Sequence, residues 1–187
     1  MKKIILLFIA FVINAVFSLC AFAENFYITD YYVGLDVQKN RDVIVTENIG
    51  VNFTSPSHGI FRNIPTKTTL YYENGKKSYL RANISDVEIN EAFSIHKNNK
   101  STTFKIGDPY KLVNGQKNYQ IKYTYSLGND PLKDVDEFYF NIIGDQWNTT
   151  IDNVRFKVTL PEPYADLQKT AGFSLGTLDT RGYDPNY

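Results

Sequence analysis

Between Tyr119 and Leu127 every second residue is apolar or aromatic: Tyr119, Ile121, Tyr123, Tyr125 and Leu127, with polar residues in the gaps. A side-chain period of two belongs to an extended strand with one buried face, because a helix would scatter such a series around its circumference. The rhythm recurs along the chain. Val33, Leu35 and Val37 share one face, Lys39-Asn40-Arg41-Asp42 reads as a turn, and Val43, Val45, Glu47, Ile49, Val51 and Phe53 resume the alternation, so a hairpin is predicted. Leu70 to Glu73 and Ser78 to Arg81 flank Asn74-Gly75, a pair whose tolerance of positive φ suits a tight turn. Further strands are predicted at Ile84 to Ile89, at Phe93 to Ile95 and Phe104 to Ile106 around the polar turn Lys97 to Lys100, at Phe138 to Ile143, and at Val154 to Leu160, where Pro161 ends the series. No stretch sustains a helical period. About nine short strands at this spacing predict an all-β fold, an antiparallel β-sandwich, immunoglobulin-like in general architecture, with a closed β-barrel as the alternative.

Composition agrees. The 187 residues are 43% hydrophobic and 15% aromatic, enough for a substantial core, and the weight of Tyr and Phe favours strands. One domain over 24–163 is expected. After Pro161 the alternation fades, and Gly172, Gly176, Gly182 and Pro185 mark 164–187 as a loosely structured tail or the start of something cut off.

The first 23 residues have the layout of a secretory signal peptide. Lys2 and Lys3 supply the positive start, Ile4 to Leu19 is apolar apart from Asn14 and Ser18, and Ala21-Phe22-Ala23 is a small-x-small cleavage site before Glu24. An uncleaved anchor is the competing reading, since the apolar stretch nears the length that spans a bilayer. Lipidation at Cys20 fits less well, because Leu19 is large for the residue before a lipidated Cys. The expected location is therefore outside the cytoplasm: the outer face of the membrane, the envelope or the medium. Cys20 is the single Cys, so cleavage after Ala23 would leave no thiol for disulfides, nucleophilic catalysis or metal ligation. Taking Lys2 and Lys3 from the 20 basic residues leaves 18 against 20 acidic ones, a balance that argues against nucleic acid as a partner.

Few residues carry chemistry. Glu47 stands on the apolar face of its strand, where a carboxylate must be paired, hydrogen-bonded or protonated; an ion pair with an Arg such as Arg62 is the structural answer, an acid or ligand role the functional one. The segment His58-Gly59-Ile60-Phe61-Arg62-Asn63-Ile64-Pro65 is the densest cluster of distinctive types. Gly59 opens a conformation closed to other residues, Arg62 offers a two-pronged fork for a carboxylate, and Pro65 stiffens the exit. His58 is a turn residue unless a nucleophile accompanies it, and none is evident. Asp134, Asp136 and Glu137 have calcium-type oxygens without the spacing of a calcium loop. His96 lies beside a turn, and two His residues without HxH or HExxH spacing make no zinc site. Trp147, in Gly144-Asp145-Gln146-Trp147-Asn148, either closes the core or stacks on a sugar, and Glu47 with Asp145 is a formal pair of carboxylates for glycoside hydrolysis. No cofactor is expected.

Taken in order, three pieces of this sequence resemble one family. They are the strand Val45-Thr46-Glu47-Asn48-Ile49-Gly50-Val51-Asn52-Phe53, the segment His58 to Pro65, and Phe140-Asn141-Ile142-Ile143-Gly144-Asp145-Gln146-Trp147 followed by a strand ending Leu160-Pro161. Over roughly Phe26 to Tyr183 the chain is similar to the N-terminal part of the domain of unknown function 2207, a family of predicted bacterial membrane proteins of the YciQ-like type. The resemblance implies an extracytoplasmic β domain ahead of transmembrane segments, and it supplies no reaction to carry over. Because such segments are missing here, the chain is expected to be a fragment of a longer protein, with a stand-alone secreted relative as the alternative. The expected function is non-catalytic: binding an envelope protein or surface component, with the membrane reached through segments absent from this chain or through the leader. Glu47, His58, Gly59, Arg62, Pro65, Asp145 and Trp147 are the motif residues expected to act in structure or interaction. A carbohydrate-binding or carbohydrate-active secreted protein is the second reading.

Overall fold

The computed structural model describes residues 24–71, 77–128, 140–144, 146–161, 173–174 and 181–182. The predicted leader (1–23), the Asn74-Gly75 turn, Asp134, Asp136, Glu137, Asp145 and most of the predicted tail lie outside them. Among the described residues every regular element is a strand: β1 (Phe26–Val37), β2 (Asp42–Ser57), β3 (Ile60–Pro65), β4 (Lys67–Tyr71), β5 (Lys77–Arg81), β6 (Asn83–Ile89), β7 (Phe93–Lys97), β8 (Ser101–Ile106), β9 (Val113–Ser126), β10 (Val154–Thr159), β11 (Phe173–Ser174) and β12 (Arg181–Gly182).

Two sheets share one core. The larger has the order β10-β1-β2-β9-β6 and the smaller β3-β8-β7, with β4-β5 and β11-β12 as separate two-stranded pairs. The sheets do not close into a barrel, and the architecture is sandwich-like. The inner face of the large sheet is built by the alternations legible in the sequence: Tyr31, Val33 and Leu35 stand opposite Ile49, Glu47 and Val45, which in turn face Tyr119, Ile121 and Tyr123. Ile60, Ile64, Phe104 and Ile106 of the small sheet join the same buried cluster, and the Phe104 ring meets Tyr123 edge-on at 5.7 Å. Each such side chain contributes about 1.5–3 kcal/mol on burial. That gain outweighs local propensity in deciding which face turns inward.

Three features differ from the sequence expectations. Ile60–Pro65, for which the sequence pattern predicts no strand, is one, paired with β8 from Ile60↔Ile106 to Pro65↔Ser101. Of the strand expected over Phe138 to Ile143, the described residues Phe140 to Ile143 are irregular. The last long strand, β10, runs parallel to β1, from Tyr31↔Val154 to Asp36↔Thr159, whereas the other pairs are antiparallel. A parallel neighbour needs a long crossover. The chain between β9 and β10 provides it, and its described part crosses the inner face: Phe140 packs edge-on against Tyr125 at 5.3 Å, and Trp147 against Tyr31 at 6.0 Å.

Candidate functional site

Glu47 lies at the centre of β2, fully buried, with Val33 and Ile121 directly opposite on the two neighbouring strands. Arg62 comes from the facing sheet, also fully buried, because β3 turns Ile60, Arg62 and Ile64 inward and leaves Phe61 outside. The two meet as a forked ion pair: Arg62 Nε donates to Glu47 Oε2 at 2.7 Å and Nη2 to Oε1 at 2.9 Å. Tyr31 from β1 donates its hydroxyl to Oε2 at 3.0 Å, and Tyr123 from β9 donates to Oε1 at 2.8 Å. Each carboxylate oxygen thus accepts one guanidinium and one phenol hydrogen, which satisfies a charge that burial alone would make prohibitive.

The remaining arm of Arg62 reaches backbone. Nη1 donates to the carbonyls of Asn63 and Ile143, both at 2.9 Å, and the Ile143 carbonyl also accepts the Trp147 indole N–H at 2.9 Å. Gly144 makes this approach possible. Its φ is +86°, and a Cβ there would stand 2.8 Å from Arg62 Nη1. The guanidinium carbon also lies 5.8 Å from the Tyr31 ring centroid, within cation–π range.

Burial, and after it the negative charge of Glu47, holds the Tyr31 and Tyr123 phenols well above the usual tyrosine range. For Arg62 burial works against the charged form, but the carboxylate beside it prevails and raises the guanidinium further. All three groups are therefore locked in their ordinary protonation states. The cluster joins the two sheets and the crossover segment at one point.

The other sequence candidates fall elsewhere. His58 is exposed, with Nδ1 3.1 Å from the Lys111 carbonyl and 3.3 Å from that of Asp108. Gly59 and Gly107 pass back to back, at φ +129° and +136°; a Cβ on Gly59 would lie 1.9 Å from the Ile106 carbonyl, and one on Gly107 1.8 Å from that of His58. Pro65 ends β3, and its carbonyl accepts the Tyr125 hydroxyl at 3.2 Å. His96 is exposed on β7. Of the residues weighed for sugar binding, Glu47 is enclosed, Trp147 is partly buried and packs edge-on against Tyr31 over the core, and Asp145 lies outside the described residues. Sequence reasoning missed Tyr31, Tyr123, Gly144 and the Ile143 carbonyl; the first two carried a signal, as tyrosines on the same inner face as Glu47. Among the described residues no cluster of His, Cys, Asp or Glu is suited to a metal ion, and no helix is long and apolar enough to cross a membrane.

The sequence model of the N-terminal domain of predicted membrane proteins, DUF2207, matches residues 27–183. No curated protein matches the chain. Solved structures with local likeness include an M1 zinc metallopeptidase from Deinococcus radiodurans, 8% identical, covering 55% of this chain and 20% of that one at a TM-score of 0.32. A two-domain M1 zinc metallopeptidase mutant bound to L-tryptophan is 9% identical, covering 60% and 24% at a TM-score of 0.32. This chain spans about a fifth to a quarter of those proteins, and a likeness so loose says nothing of its activity.

Proposed function

This chain belongs to the DUF2207 family, as the N-terminal domain of a predicted membrane protein, and we propose that it serves outside the cytoplasm as a non-catalytic interaction domain for an envelope protein or surface component. One observation carries the reading. The distinctive polar residues of the sequence, Glu47 and Arg62, are directed into a closed network between the sheets instead of toward a cleft. The surface meanwhile presents large apolar side chains, among them Phe61 at 63% exposure, Tyr79 at 57% and Phe156 at 56%. The layout of residues 1–23 supports export.

Two measurements test the two halves of this proposal. Alkaline phosphatase fused after Tyr187 is expected to be active; activity only from a cytoplasmic reporter in its place rules out the extracytoplasmic location. Photo-crosslinkers at Phe61, Tyr79 and Phe156 in the natural full-length protein are expected to trap a discrete envelope component from at least one position. Adducts from none of the three, or turnover of an envelope substrate by the purified protein, defeat the interaction reading.

A further inference from the structure

One end of the sandwich is marked by an ordered turn whose side chains are left uncovered. Beyond Phe53, opposite the first residue of β1, β2 continues to Ser57, which pairs with Val113 at the start of β9. The loop 107–112 folds back onto His58 there. Within it, Tyr110 N–H donates to Asp108 Oδ1 at 2.8 Å, Lys111 N–H to the Asp108 carbonyl at 3.3 Å, and the Lys111 ammonium lies 3.8 Å from Asp108 Oδ2. The backbone is thus held at several points, yet Tyr110 is 94% exposed and Leu112 61%. Phe61, the second residue of β3, is also exposed, with the Lys105 ammonium 6.0 Å from its ring. Tyr, Leu and Lys side by side on a projecting, pre-ordered turn are the types that settle at a membrane interface: an apolar body goes inward while hydroxyl and ammonium stay among the headgroups.

The position of Glu24, just after the predicted leader, points to the same occupant. Glu24 and Asn25 are fastened at this end: the Asn25 carbonyl accepts the N–H groups of Thr54 and Ser55, and Glu24 Oε2 accepts the Thr150 N–H at 3.1 Å. The apolar stretch Ile4 to Leu19 precedes them immediately in sequence. From Leu19 to Glu24 the extended chain reaches at most about 17 Å. Whenever that stretch occupies a bilayer, this end of the sandwich is confined close to its surface.

We propose that the turn carrying Tyr110 and Leu112 seats in the interface of a lipid bilayer, with Lys111 at the headgroup level, and so fixes the orientation of the domain on the membrane. The proposal goes beyond the interaction reading and shares with it only the placement beside a membrane; loss of the crosslinked envelope component leaves it untouched. The test uses the full chain with vesicles of phosphatidylethanolamine and phosphatidylglycerol whose acyl chains are brominated, so that a membrane-inserted indole is quenched. Tyr110→Trp is expected to lose most of the emission of its new indole, while the wild-type chain, whose Trp147 is packed over the core, and Asn40→Trp, in the turn at the opposite end, keep theirs. Equal quenching at both ends, no quenching of the Tyr110→Trp indole, or protection of that turn by a protein partner in place of lipid each overturns the proposal. Unchanged circular dichroism confirms that both variants remain folded.

Discussion

Arg62 and Glu47 meet at 2.7 Å although they stand on opposing sheets and fifteen residues apart in the chain. Two charges withdrawn from water lose several kcal/mol of hydration each, and their attraction offsets that loss only when the remaining donors and acceptors are also satisfied. Here they are met by two phenols, by the Asn63 carbonyl and by the Ile143 carbonyl. The consequence is geometric. Moving β3 by one residue along β8 would turn Arg62 outward and Phe61 inward, leaving Glu47 without its ion-pair partner.

Arg62→Met should therefore destabilise the domain by about 3–5 kcal/mol, since it strands a buried carboxylate. Adding Glu47→Leu should restore a large part of that loss, because the pair is then replaced by apolar groups of similar size. Urea unfolding of the two single variants and the double gives the coupling directly. Additive losses would show that the pair acts as two independent side chains.

Tyr31→Phe and Tyr123→Phe each remove one hydrogen bond to the same carboxylate and should each lower stability by about 1.5–3 kcal/mol. Their combined effect should exceed the sum of the two, because the second loss leaves Glu47 with the guanidinium alone. Chemical denaturation at neutral pH reads all three variants.

Alkaline pH should unfold the domain. Burial and the Glu47 charge hold the folded-state values of Tyr31 and Tyr123 above the ordinary tyrosine value near 10. Tyr119 is pushed up to about 12 by burial and by Glu91. Above about pH 10 the unfolded chain gives up protons that the folded chain keeps, so this stability is fully present below that pH and falls as pH rises toward the folded-state values. Thermal midpoints taken from pH 8 upward, followed beside tyrosinate absorbance, should decline only past about pH 10, and less steeply in the Tyr31→Phe/Tyr123→Phe variant. A midpoint unaffected by alkali would contradict the buried phenols.

Gly59→Ala and Gly115→Ala separate two penalties. Both residues have positive φ, but a Cβ at Gly115 meets nothing within 4 Å, whereas one at Gly59 strikes the Ile106 carbonyl. Gly115→Ala should cost about 1–2 kcal/mol, the backbone penalty alone. Gly59→Ala should cost clearly more, because β3 and β8 must part to admit the methyl group. Equal losses in melting temperature would remove the steric account of the Gly59–Gly107 crossing.

Much of the fold was legible because strand periodicity is a local property. The hairpin of β1 and β2, the β7–β8 pair and β9 all follow from alternation that survives a single polar intruder: Glu47 interrupts an otherwise apolar face, and the residues around it still carry the pattern. In Ile60–Pro65 the intruder is a larger share of a short strand. With Arg62 turned in and Phe61 turned out, the apolar period is blurred, and the strand is visible only through its partner β8. Phe140 to Ile143 failed in the opposite sense: its apolar residues pack against the core from an irregular crossover, so hydrophobicity without a strand partner misled.

The candidate site divides along the same line. Glu47 and Arg62 were identifiable one by one, as a carboxylate on a buried face and a guanidinium able to meet it, because the cost of burying charge follows from residue type and local pattern alone. Their joining with Tyr31, Tyr123 and the Ile143 carbonyl, the parallel placement of β10 and the back-to-back crossing of Gly59 with Gly107 were decided only by tertiary structure. Each of these depends on how separate segments pack, and periodicity of two determines which way a side chain points along its strand while leaving open what stands across from it.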